Sequence, residues 1–397
     1  MTPKFRTVTL LALAELLAMS LWFSASAVTP LLATEWHLDQ GSTAWLTMAV
    51  QLGFVAGALV VALFNVADRW SPRLVVCSGA LVGAAANALI PLAAHGLMPA
   101  IGLRFVTGFS LAAVYPVGMK ILATWTKEDR GFGIGVLVGA LTLGSASPHL
   151  VRAVGGISDW HRLLFVTSGL AVLGAVITLF AGHLGPHRTA RAPFQWRYVA
   201  RTFTDRGLWL ANLGYLGHMW ELYAMWTWVP AMLLDAYGGA MRPAALASFG
   251  VIGIGAVGSV WAGKVADQWG RCRVTIVSMA VSGACALSIG LVQGAGPTWI
   301  TVLSLVWGFA VVADSAQFSS AVSELGQPEY VGTQLTTQTC LGFLLTIGSI
   351  RMVPVIRGAA GWGWAFGALA VGPAVGILAM RALLASPEAK RLAGGRG

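Results

Sequence analysis

Charge is scarce in this chain. Only 10% of its 397 residues are Asp, Glu, Lys or Arg, against about 25% in a soluble domain. A water-soluble globule needs a charged exterior, so this scarcity excludes one. Acids are scarcer than bases, 15 against 25, and the formal net charge is +10. That excess does not describe a nucleic-acid binder, because the basic residues lie in short gaps between apolar runs and form no dense patch. Cysteine is scarce too: Cys77, Cys272, Cys285 and Cys340 make no CxxC pair and no disulfide framework. HExxH, GxSxG and the phosphate-binding P-loop are all missing, which removes metalloprotease, serine-hydrolase and directly ATP-driven readings. A His-x-x-Glu pair at 218–221 falls short of the three or four ligands a zinc site needs. The chain is therefore read as no enzyme, with no metal.

What is abundant is hydrocarbon. Hydrophobic residues make up 57% of the chain and the mean hydropathy is +0.74. Apolar runs of about 20 residues, each able to cross roughly 30 Å of lipid, are predicted at 8–31, 43–64, 74–95, 98–123, 131–151 and 163–183. A second set falls at 208–234, 244–264, 274–293, 298–322, 331–354 and 361–383. The expected fold is an all-α membrane protein of twelve transmembrane helices in two pseudo-symmetric six-helix bundles. The first run, MTPKFRTVTLLALAELLAMSLWFSASA, has the outline of a signal peptide. Glu15 in its middle, and a later mirror of its end, instead predict a retained first helix.

The longest polar stretch, 183–206, separates the two sets and carries Arg188, Arg191, Arg197, Arg201 and Arg206. With the N-terminus inside, 18 of the 25 basic residues fall in inside segments. Four fall outside: Arg152, Arg162, Arg242 and Arg357. Basic loops stay in the cytoplasm, so both termini are expected there, in a plasma or bacterial inner membrane. The expected organisation is a bundle at 1–184, a cytoplasmic central loop at 185–206, a bundle at 207–385 and a cytoplasmic tail at 386–397.

The two sets echo each other. Pro30 in SAVTPLL and Pro230 in WTWVPAML close the first and seventh runs, 200 positions apart. VADRWSPR at 66–73 and VADQWGRC at 265–272 follow the second and eighth runs, with Asp68 and Asp267 199 apart. Two landmarks at one offset indicate a duplicated six-helix unit. Parallel repeats of this kind place a substrate site near the midplane, between the halves.

The stretch GKVADQWGRCR, 263–273, closely resembles the loop signature of the major facilitator superfamily, G-x-L-A-D-R-x-G-R-K. Its first-half copy, FNVADRWSPR, has Phe64 and Ser71 where the signature has glycine. RFVTG at 104–108 is similar to the arginine motif of the superfamily's fourth helix, whereas GALTLGSASPH at 139–149 lacks the Gly-Pro pair of its exporters. The resemblance implies a transporter whose first, fourth, seventh and tenth helices line the cavity. It also implies loops that hold one conformation and release in the other, through Asp68, Arg69, Arg73, Gly263, Asp267, Gly270 and Arg271.

An ionisable side chain inside a span costs about 2.5–3.5 kcal/mol on insertion scales, so each one wants a reason. On the four cavity helices lie Glu15, Arg104, Lys120, His218, Glu221 and Asp314, while Arg351 lies elsewhere. Arg104, Lys120 and Arg351 sit where a long side chain can reach the interface. Glu15, His218, Glu221 and Asp314 are the candidates for proton coupling. Glu221 is nearest mid-span, with His218 on the same helix face, and Glu15 is the alternative carrier. Arg104, Tyr115, Trp220, Tyr223, Gln317 and Gln338 are candidates for the substrate cavity. The expected function is secondary transport of a small organic or anionic solute by alternating access, driven by a proton or other ion gradient, with no cofactor. The chain would act as a monomer in the lipid bilayer. A proton-driven drug or metabolite exporter is the alternative; outside transport, a receptor or scaffold.

Overall fold

The computed structural model describes residues 2–126, 130–155, 159–187 and 194–397. Among these, every regular element is a helix. Arg188 and Arg191 of the central basic stretch lie outside the described residues.

All twelve predicted runs are helical, but four are interrupted. The first contains α1 (Pro3–Met19), α2 (Ser24–Ala27) and α3 (Thr29–Glu35). Next come α4 (Gln40–Leu63), a short α5 (Val66–Arg69) and α6 (Pro72–Ala93). The fourth run divides into α7 (Leu97–Leu111) and α8 (Tyr115–Ala123), followed by α9 (Arg130–Val154) and α10 (Trp160–Ala181). The expected central loop is not all loop, for it holds a short helix, α11 (Trp196–Thr204). Its Tyr198 stacks on Tyr330 with ring centroids 3.5 Å apart. Then come α12 (Arg206–Ala236), α13 (Met241–Trp269) and α14 (Arg271–Val292). The tenth run divides into α15 (Pro297–Ala313) and α16 (Ser315–Leu325) around Asp314. Last are α17 (Val331–Gly367), which kinks at Gly361 where φ is +82°, and α18 (Val371–Leu384).

Nine described stretches are long and apolar enough to cross a bilayer. The first run falls short through its break. In α12, the polar Asn212, His218 and Glu221 dilute the hydropathy. The stretch 328–384 counts once although Gly361 divides it. These three features reconcile the count with the twelve runs.

The breaks have local causes. Backbone groups freed inside a membrane helix must find partners within the protein. At 20–23 the freed carbonyls of Leu21 and Trp22 accept from the Arg104 guanidinium, at 2.8 Å for Leu21. Arg104 also donates to the Leu46 carbonyl and to Ser24, both at 3.1 Å, and is fully buried. It is the staple of the break. Between α7 and α8, Pro116 has no N–H to offer the Ala112 carbonyl one turn earlier, and its ring crowds that carbonyl, so the ladder breaks at 112–114.

Packing repeats across the halves. A Cβ on Gly108 would lie 1.8 Å from the Val50 carbonyl oxygen, and one on Gly308 would lie 1.8 Å from that of Val251. Gly57 meets the Phe109 carbonyl as Gly258 meets that of Phe309. Thus α4 crosses α7 as α13 crosses α15, on glycines that let the backbones touch. Between the halves, α9 packs along α13 and α4 along α17.

Candidate functional site

A cavity of about 180 Å³ lies between the halves, walled by α4 and α8 on one side and α16 and α17 on the other. Its rim includes the exposed Asp68 and Glu329, so it reaches the face that carries the two signature loops. Alanine, valine and methionine side chains make much of its wall. Hydroxyls of Ser319, Ser323, Thr333, Thr336 and Thr339 supply hydrogen-bonding positions from the second half. Lys120 is the basic side chain in the lining; its ammonium contacts Asp68 and the Ala67 carbonyl.

The inner end gathers polar groups from three helices. Tyr115 lines it, with its hydroxyl within electrostatic reach of Glu15 and Tyr215. Tyr215 packs its ring onto Gly342. Glu15 is 3% exposed and neither carboxyl oxygen has a hydrogen-bond partner. Gly118 makes room for it, since a Cβ there would lie 3.0 Å from Oε2.

Beyond this end the rings close. Trp22, Phe54 and Phe343 have centroids 4.9–5.3 Å apart, and Tyr223 stands 4.9 Å from Phe343. Phe23 and Trp226 extend the layer at 6.0 Å. Along α4, cavity residues Ala58, Val61 and Ala62 give way to Phe54 and then to Thr43, Ala44 and Thr47 of a second, smaller cavity at the opposite face. The same order runs along α12, from Tyr215 through Tyr223 to Thr227. The opposite face is tied across the halves. Thr346 donates to Gln51 at 2.7 Å, and Arg351 to the Gly41 carbonyl at 2.9 Å.

The expected His218–Glu221 face is built differently from a relay between those two. Glu221 accepts from Ser282 at 2.7 Å and from the Trp307 indole at 2.8 Å, which points it at α14 and α15. His218 places Nδ1 2.8 Å from Asp314 Oδ1, off the line of a good hydrogen bond, and Nε2 2.8 Å from the Ser315 hydroxyl. The imidazole thus sits on the α15–α16 break. All three ionisable groups are buried.

The other candidates spread out. Trp220 packs against Gly372 of α18 and approaches Gly348. Gln317 accepts from Arg271 at 2.9 Å. Gln338 is buried, with neither amide atom partnered. In the second signature loop, Arg271 pairs with Glu324 at 2.7 Å and Asp267 at 3.1 Å. Asp267 lies against the start of α9, where a Cβ on Gly131 would be 2.5 Å from its Oδ1. Gly263 packs on the Gly131 carbonyl, and Gly270 takes a φ of +100°. The loop therefore bridges to the first half, while Asp68 stays within its own half on Lys120. Arg69 is exposed and Arg73 half-buried.

Sequence reasoning missed Tyr215, because a tyrosine among apolar residues reads as packing. It also missed Ser282 and Trp307, since nothing in the chain marks them as partners of Glu221.

These observations define an all-helical, multi-pass membrane protein with a cavity between two sets of helices. The chain belongs to the Major Facilitator Superfamily, whose family model matches residues 11–350. It is accordingly a transporter of small solutes and not an enzyme. It is 24% identical over 220 residues to the "Probable sulfoacetate transporter" of Cupriavidus necator, a match covering 51% of each chain. It is 24% identical over 368 residues to the "Probable L-galactonate transporter" of Escherichia coli, covering 78% of each. It is 26% identical over 333 residues to the 4-hydroxybenzoate transporter of Pseudomonas putida, covering 72% of this chain and 70% of that one.

Proposed function

We propose that this protein carries a small organic anion across the membrane by alternating access, coupled to protons, with Glu15 as the proton carrier. The observation that carries the reading is the unpartnered, buried carboxyl of Glu15 behind Tyr115, which lines a cavity open at one face. A carboxyl so placed is neutral when dry and ionised when water or a cation reaches it. Alternation of the cavity between faces would present it to each side in turn.

The named solutes of the relatives, sulfoacetate, L-galactonate and 4-hydroxybenzoate, are all organic anions. A cavity of about 180 Å³ matches that class in size, since an apolar cavity of about 150 Å³ accepts benzene. Lys120 and the hydroxyl row supply partners for a carboxylate and for ring or sugar hydroxyls. The tie between Asp267 and α9 suits a contact made in one conformation and released in the other. The lysine and arginine bias supports two six-helix halves with the loop-bearing face and both termini in the cytoplasm. Labelling of cysteines introduced at 196–204 from the periplasmic side alone would overturn that orientation.

The test is uptake of 4-hydroxybenzoate by the purified full chain in liposomes under an imposed pH gradient. Glu15→Gln is expected to abolish accumulation against a gradient and to spare solute exchange at equal pH. Glu221→Gln is expected to keep accumulation, because its carboxyl is already held by two donors. The reverse pattern would move the proton site to the space between α12, α14 and α15.

A further inference from the structure

The second cavity holds a buried cation that, among the described residues, meets no anion. This pocket, about 70 Å³, opens at the face opposite the signature loops, and both halves line it. Arg152 enters from α9, 9% exposed. Its guanidinium donates to the Ala27 carbonyl at 2.6 Å and meets the Met241 sulfur at 3.2 Å. Among the described residues no carboxylate lies within ion-pair distance of it. One helical turn earlier, His149 is 3% exposed, lines the same pocket and has no partner for Nε2.

A buried guanidinium is costly unless an opposite charge or a full set of acceptors meets it. Arg104 sets the contrast. Among the described residues it too lacks an acid, but four oxygens accept from it, it lines neither cavity, and it holds a helix break together. Arg152 has one oxygen, one weak thioether acceptor and open space beside it. Around that space stand the linked hydroxyls of Ser26 and Thr47, 2.7 Å apart, and that of Thr227. A planar guanidinium with free N–H groups suits a carboxylate, which it can hold through two parallel bonds.

We propose that the Arg152–His149 pocket is an anion subsite for the carboxylate head of the transported solute, engaged on entry or exit at this face. The proposal rests on the organic-anion reading above. The pocket, at about 70 Å³, has room for a head group but not for a whole aromatic acid, since a cavity of about 150 Å³ accepts benzene. The rest of the solute must lie toward the aromatic layer when this face opens.

The probe is benzoate. The full chain carries Thr227→Cys as a reporter on the pocket wall, and the four native cysteines are buried. In vesicles, a membrane-impermeant maleimide should label Cys at 227 from the face opposite the loops, and benzoate should slow that labelling at least fivefold. Benzamide, the neutral isostere, should not. Arg152→Gln should abolish the protection, Arg152→Lys should keep part of it, and His149→Gln should raise the benzoate concentration required several-fold. Retained protection in Arg152→Gln overturns the subsite. So does absence of protection in the reporter protein, or a position 227 that never reacts. Uptake of 4-hydroxybenzoate is measured in parallel on vesicles holding the chain with Thr227 in place. Protection in the reporter protein without uptake by the chain that keeps Thr227 would leave the subsite standing and sink the transport reading. Uptake without protection would do the converse.

Discussion

His218 and Glu221 stand one turn apart on α12, yet their partners lie on different helices. Spacing decides which residues share a helix face, but it does not decide what that face meets. Glu221 meets two donors, Ser282 and Trp307, whereas His218 meets the break at Asp314. The sequence made the cost of these groups legible, as it did for Glu15 and Arg104. Their roles depend on neighbours 61 to 86 positions away, as in the Glu221 bonds, and no local pattern encodes them. The same holds for Arg152, which hydropathy assigns to a loop and the fold turns inward. Glu221→Leu removes the shared acceptor and leaves both the Ser282 hydroxyl and the Trp307 indole N–H without it. A buried donor left unsatisfied costs about 1–3 kcal/mol. The variant should therefore melt several degrees lower in detergent while still accumulating solute. An unchanged melting temperature would mean the two bonds contribute nothing.

At the level of helices, most positions could be read from hydropathy, because a span must be long and apolar whatever it packs against. The breaks were less legible. Pro116 signals one, but the interruption at 20–23 contains neither proline nor glycine and depends on Arg104 reaching across from α7. Glycine contacts were likewise invisible, since a glycine in a membrane helix looks the same whether it touches a backbone or lipid. Gly108 and Gly308 touch a backbone, and a methyl group at either would lie 1.8 Å from a carbonyl oxygen. Gly102 has nothing within 4 Å. Overpacking of this kind costs about 1–3 kcal/mol, while Gly→Ala in an open helical position gains about 0.5–1 kcal/mol. Gly108→Ala and Gly308→Ala should therefore both lower the melting temperature, and by similar amounts, while Gly102→Ala should not. Unequal losses would argue against equivalent crossings in the two halves.

For the molecule as a whole, the repeat at an offset near 200 was legible from two prolines and two aspartates, and the glycine contacts restate it in three dimensions. Which face was open could not be read, because one sequence serves every conformation. The layer formed by Trp22, Phe54, Tyr223 and Phe343 has a consequence for the cell that houses the protein. A carrier with cavities at both faces becomes a hole if water ever joins them, and a file of water conducts protons. The cell's energy store would then drain through every copy, whether or not solute was present. Four rings in van der Waals contact make the layer an electrical insulator as well as a partition. Phe343→Ala thins it at a ring that meets the other three. Vesicles holding that variant should lose an imposed pH gradient faster than wild type with no solute added, as an entrapped pH-sensitive dye would report. A carrier thus has to be judged by what it holds back at rest as well as by what it moves.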